Sequence, residues 1–165
     1  MRRPQSRPYF GQYERSLRPC LACFSRAGGG GASPEGAPVT GRRAARRTAL
    51  FVLYQWDLTG QPLASLYEGE VDDFARSLAE AVMERADDLD RRITQASEGW
   101  PSDRLGALER NILRIGVQEL DRGTVPVEVA INEAVSLAKR YASDDAARLV
   151  NGILARIARE QEPVS

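Results

Sequence analysis

The chain contains no histidine. That absence excludes Ser-His-Asp and Cys-His catalysis, His-containing zinc sites and the usual neutral-pH proton shuttle. Cysteine is almost as scarce. Only Cys20 and Cys23 occur, a single CxxC outside any βαβ pattern and without the second pair that a zinc ribbon needs, so it reads as chemically idle. Lysine is limited to Lys139, so nearly every base is an arginine. No apolar run approaches the ~18 residues of a membrane span, and the stretch around Leu21–Phe24 is too short for a signal-peptide core. The expectation is a cytoplasmic protein with no metal and no cofactor. P-loop, GxGxxG and paired-carboxylate signatures are also missing.

The 165 residues suit one domain able to bury its own core. Equal totals of basic and acidic residues, 23 each, conceal an asymmetry. Residues 1–47 hold ten arginines against Glu14 and Glu35, a net of +8, and residues 48–165 carry −8. This division suggests a basic arm or edge that meets a polyanion, attached to an acidic body. Five prolines and the Gly28–Gly31 run lie within residues 1–40, where no apolar period is visible, so this segment reads as a disordered basic extension. The folded domain is expected over 41–161, with a short disordered tail at 162–165.

From Gly41 the pattern is helical throughout. Ala45, Ala49, Val52, Leu53 and Trp56 form one stripe ending at Thr59-Gly60. Pro62 opens a short helix through about Tyr67. A longer helix is expected from Asp72 to Ser97 on Phe74, Leu78, Val82, Leu89 and Ile93, with Ala86 between. Pro101-Ser102-Asp103 reads as the start of the next, which Gly123 closes. Pro126 occupies a first-turn position of a fifth helix, and Ser143 is a good N-cap for the last. With no alternating strand pattern, the chain reads as an all-α bundle of five long or medium helices and one short one. Asn151-Gly152 interrupts a strong helical pattern, so Gly152 is expected to admit the close approach of another helix.

Arg42-Arg43-Ala44-Ala45-Arg46-Arg47 is the sharpest anomaly. Placed at a helix opening, these cations oppose the macrodipole, and Arg42/Arg46 and Arg43/Arg47 are like-charge i,i+4 pairs. A phosphate-bearing ligand would relieve both conflicts, and a nucleic acid is the ligand class expected. Arg43, Arg47, Leu50, Tyr54 and Leu58, with Phe51 beside them, make a second line on the same helix. It suggests a surface basic at one end and apolar further down, with core burial the competing reading for Leu50 and Phe51. Asn132 and Glu133 lack any nucleophile, metal cluster or histidine nearby in sequence, and they read as surface polar or buried hydrogen-bonding residues.

Four ordered segments carry a family resemblance: Arg42–Trp56, RRAARRTALFVLYQW; Leu108–Arg114, LERNILR, with Glu119-Leu120; Val125-Pro126 through VAINEAVSLAKRYASDD; and Leu149–Leu154, LVNGIL. Together they span about residues 42–158, and in that order they resemble the NusB family of antitermination proteins. The resemblance implies a non-enzymatic, all-helical fold of two packed subbundles. It further implies binding of the boxA element of ribosomal RNA leader transcripts as single-stranded RNA, jointly with the ribosomal protein NusE. Other Nus factors and RNA polymerase would be engaged indirectly. It places Arg42, Arg43, Arg46 and Arg47, then Arg114, Asp145 and Arg148, toward RNA, and Tyr54 and Glu109 toward the protein partner. Monomer and homodimer both remain open. Two departures stand out: Leu149 replaces the aromatic residue that commonly precedes Val-Asn-Gly, and Gln118 replaces a Tyr before Glu-Leu. The competing readings are a helical protein-interaction module with an incidental basic patch, and a non-catalytic relative of the leading domain of RNA cytosine methyltransferases. The latter enzymes would need a Rossmann-like βαβ segment for S-adenosylmethionine, and none is found here.

Overall fold

A computed structural model describes residues 39–98 and 104–161. The expected extension and tail, with Cys20 and Cys23, lie outside the described residues except for Val39 and Thr40, where the first helix begins. Seven helices and no strand occur among the described residues: α1 (Val39–Thr59), α2 (Leu63–Leu66), α3 (Asp73–Glu84), α4 (Ala86–Ala96), α5 (Ala107–Arg122), α6 (Val127–Tyr141) and α7 (Asp144–Gln161).

Local chemistry sets most of the ends. The α1 helix stops where Gly60 takes a φ of 68°. Asp72 caps α3, its Oδ1 accepting from the backbone N–H groups of Phe74 at 2.9 Å and Ala75 at 3.3 Å. Gly123 ends α5 in the left-handed region at φ 60°. Ser143 Oγ accepts from the Ala146 N–H at 3.0 Å, so the expected N-cap of α7 is present.

Three expectations are corrected. The helix expected over 72–97 is two helices, parted at Arg85, whose φ of −108° and ψ of 12° leave the helical basin. The apolar stripe runs unbroken across the break, since Val82, Ala86 and Leu89 are all buried, so hydrophobic period alone does not register it. The fourth long helix begins at Ala107 behind Gly106, not at Pro101-Ser102-Asp103, and those three residues lie outside the described ones. Gly106 offers no capping side chain, so its helix start carries little sequence signal. Finally, Gly152 is exposed with open space around it. The close approach is made instead by Gly116 in α5, where a Cβ would stand 2.6 Å from Leu154 Cδ1 of α7.

The architecture is two subbundles that share α5. On one side α1 packs with α2 and α3; on the other α4, α6 and α7 gather around α5, which also touches α1 and α3. Residues 111–120 of α5 are buried without exception. Leu50 and Leu53 of α1, Leu78 of α3, Leu89 and Ile93 of α4, and Leu154 and Ile157 of α7 complete one continuous core. No helix among the described residues is long and apolar enough to cross a membrane.

Candidate nucleic-acid interface

The arginines of α1 do not converge on one point; the structure sends them three ways. The helix begins at Val39, so Arg43, Arg46 and Arg47 lie beyond its first turn and the expected conflict with the macrodipole is small there. Arg42 is exposed and stands over the Phe74 ring of α3, with Cζ 5.7 Å from the centroid. Arg46 points inward. Only 4% of its side chain is exposed, and its Nε and Nη2 donate to the Glu119 carboxylate of α5 at 2.8–3.0 Å, with Glu133 of α6 at 3.6 Å from Nη1. Arg43 reaches α6 on the open side, where Nε donates to Glu133 Oε1 at 2.8 Å while 67% of its side chain remains exposed. At Arg46 the expected charge conflict is therefore relieved from within the chain, without a phosphate. This arginine is the internal partner of two carboxylates and is too deeply buried to meet a phosphate.

Between the first half of α1 and the second half of α6 lies a groove of about 340 Å³. Arg43, Arg46 and Arg47 contribute from α1; Glu133, Ser136, Arg140 and Tyr141 contribute from α6. The Phe51 and Tyr141 rings close one end in an edge-to-face contact, with centroids 5.1 Å apart. Burial settles Leu50 as core, whereas Phe51 is half-buried. Among the described residues four guanidiniums line this groove against one lining carboxylate, with Glu119 behind it, a positive excess. Arg140 and Tyr141 were missed by sequence reading. Cations in the last turn of a helix are the ordinary, dipole-favoured arrangement, so Lys139-Arg140 raised no signal. The only pointer was the aromatic Tyr141 directly after them.

The remaining expected residues sit elsewhere. Arg114 of α5 is buried, donating to both oxygens of Asp90 at 2.6–2.7 Å and to Asn111 Oδ1 at 3.0 Å, with Asp57 at 3.5 Å. Burial alone would lower its pKa; hydrogen bonding and charge from Asp90, and the charge of Asp57, outweigh that and raise it. Like Arg46, it is an internal ion-pair residue and not a surface cation. Asp145 and Arg148 are open to solvent at the start of α7 and bond to each other at 2.9 Å. Leu149 and Gly152 are exposed on the same helix. Tyr54 is half-buried against the core. Glu109 lies in the first turn of α5, next to Arg110, whose Nε donates to Asp57 Oδ2 at 3.0 Å. That contact fixes the start of α5 against the last third of α1, the stretch that also carries Tyr54.

A family model for the NusB family matches residues 43–159. The chain belongs to the NusB family. It is 42% identical over 120 residues to the transcription antitermination protein NusB of Rubrobacter xylanophilus, an alignment covering 68% of this chain and 86% of that one. NusB from T. maritima superposes with a TM-score of 0.68 at 31% identity, covering 78% of this chain and 96% of that one. A chain from a crystal structure of antitermination factors NusB and NusE in complex with dsRNA gives a TM-score of 0.67 at 30% identity, covering 74% and 99%. The family role is transcription antitermination, which is not an enzymatic one. The NusB match takes in α1 from Arg43 onward together with α6 and the start of α7, so the groove and the exposed α7 face both lie inside it.

Proposed function

We propose that this chain binds the boxA element of ribosomal RNA leader transcripts together with ribosomal protein NusE and thereby suppresses termination. Other Nus factors and RNA polymerase are engaged through that complex. Arg43, Arg47 and Arg140 contact phosphates along the groove, Arg42 extends the track toward α3, and Asp145 and Arg148 meet the RNA at the start of α7. Arg46 and Arg114 serve from beneath by fixing the helices. Tyr54 and Glu109 belong to the NusE-facing surface, where α1 meets the start of α5. The observation that carries the reading is the excess of guanidiniums over carboxylates among the described groove residues, beside the half-buried Phe51–Tyr141 pair, within a fold whose solved relatives include a NusB–NusE–RNA complex.

The test is a titration of single-stranded boxA RNA, a scrambled strand and a duplex, with and without NusE, over a range of salt. Each single-strand phosphate contact adds about −0.7 to the slope of log affinity against log salt. Arg47→Gln with Arg140→Gln should make the slope shallower by up to ~1.4, weaken both single strands alike and leave the fold intact. The boxA strand should outcompete the scrambled strand only when NusE is present. An unchanged slope, or equal binding of all three RNAs with NusE present, overturns the proposal.

A further inference from the structure

Glu133 is an unusual group to find in an anion-binding groove. It is largely buried, with 11% of its side chain exposed, and it is the only carboxylate among the described residues that line the groove. Its negative charge does not stand alone, because Arg46 lies 3.6 Å away from Oε2. Arg46 is in turn held by Glu119. Arg43, Arg46, Glu119 and Glu133 thus form a set of four whose charges cancel. What Glu133 adds beyond that balance is a grip on Arg43. The 2.8 Å bond goes to Nε, the inner nitrogen of the guanidinium, and both terminal nitrogens keep no partner among the described residues.

We infer that Glu133 is a positioning residue of the groove, holding Arg43 by Nε so that its two terminal NH2 groups face the incoming phosphate. The inference rests on the RNA-binding reading above and deepens it. A free arginine spreads over many rotamers, and binding a phosphate freezes them. A guanidinium already anchored at Nε has lost much of that freedom before the ligand arrives, and its remaining donors match the paired oxygens of a phosphate. Lysine at this position keeps the charge but has no inner N–H to be held.

The experiment is a double-mutant cycle on RNA affinity in the full chain, using Glu133→Gln, Arg43→Lys and the pair. Each single change should weaken single-stranded RNA by about three- to tenfold, the scale of immobilising one rotamer-rich side chain. The pair should be no weaker than the worse single. Arg43→Lys conserves charge at an exposed site, so it should also keep the salt slope and the melting temperature of the parent, and it remains informative if Glu133→Gln folds poorly. Additive losses in the pair would mean that Glu133 acts through the fold rather than through Arg43. Tighter binding by Glu133→Gln would mean that the carboxylate merely competes with phosphate. Parental affinity for Arg43→Lys would show that the grip has no function. Each overturns the inference. They are distinct from failure of the RNA reading itself, which appears as parental binding and salt slope in the Arg47→Gln, Arg140→Gln variant.

Discussion

The two ends of α1 solve the same charge problem in opposite ways. At its first half the helix supplies arginines, and α5 and α6 supply the carboxylates Glu119 and Glu133. At its last third the helix supplies Asp57, and α5 supplies Arg110 and Arg114, with Asp90 of α4 completing the set. Among the described residues the second cluster sets two guanidiniums against two carboxylates. The first differs: among the described residues Arg47 and Arg140 bring the count around the groove to four guanidiniums against two carboxylates. Charge matched between helices holds them together; an excess of guanidiniums lining a groove is what a polyanion can use. An arginine count from the sequence cannot make that distinction, since it weighs Arg46 and Arg114 equally with Arg47 and Arg140.

The hardest test of this contrast is Arg114→Ala. Asp90 would lose its main partner in a mostly buried site, and the cation beside the Trp56 ring would go, although Asp57 keeps Arg110. The expected loss is about 3 kcal/mol of unfolding free energy, the lower end of the cost of breaking a buried pair. RNA affinity measured well below the melting point should be unchanged. A stable variant with weakened RNA binding would break the comparison, because the balanced end would then be a ligand site.

A smaller effect is expected at a third ion cluster, where Asp121 of α5 accepts from Arg85 at 2.8 Å and from Arg92 at 2.6–2.8 Å. Burial alone would raise the Asp121 carboxyl pKa; hydrogen bonds from Arg92 and Arg85 outweigh it and hold the group below its ordinary value. A carboxyl lowered in the folded state stabilises the fold above its unfolded value near ~3.9, and that contribution is lost as pH falls through the lowered native value. Asp121→Asn should therefore cost about 1–2 kcal/mol at neutral pH, less than a fully buried pair because both arginines remain partly hydrated. In urea titrations it should also flatten the acid limb of the stability profile. An acid limb identical to the parent's would mean that these bonds contribute nothing.

How much of this was legible in the sequence depends on the range of the interaction. Helix ends at Thr59-Gly60, Gly123, Pro126 and Ser143 were readable because their chemistry is local, contained in two or three consecutive residues. The break at Arg85 was not, because the residue there answers to Gln118 and Asp121, 33 and 36 positions away, while the apolar period continues through it. The arginine cluster was visible as an anomaly, but its sorting was not. Arg46 finds Glu119 across 73 residues and Arg43 finds Glu133 across 90, and no periodicity encodes such pairings. Of the two readings offered for Glu133, surface polar or buried and hydrogen-bonded, the structure shows the second, yet nothing in its sequence neighbours pointed to the arginine it holds. The α7 positions Asp145 and Arg148 entered only through the family resemblance, since physical reading had no reason to select them.

The smallest expected effect extends the comparison to that α7 face. Gly152 sits within the helix, exposed, with no heavy atom close enough to meet an added Cβ. Glycine in an exposed helix interior costs roughly 0.8–1 kcal/mol relative to alanine. Gly152→Ala should therefore raise stability by somewhat less than 1 kcal/mol, a few degrees in melting temperature for a domain of this size. Nothing internal requires glycine here, in contrast to Gly116, whose missing side chain lets Leu154 of α7 pack against α5. One helical turn before Gly152 stand Arg148 and Leu149, both exposed, so a strand of RNA following this face would pass directly over the glycine backbone. If the site extends from the groove along α7, the added methyl should hold that strand off and weaken RNA severalfold while the protein becomes more stable. A more stable variant with parental RNA affinity would confine the contacts to the groove between α1 and α6. The arginines lining that groove would then account for RNA binding without help from Asp145 and Arg148.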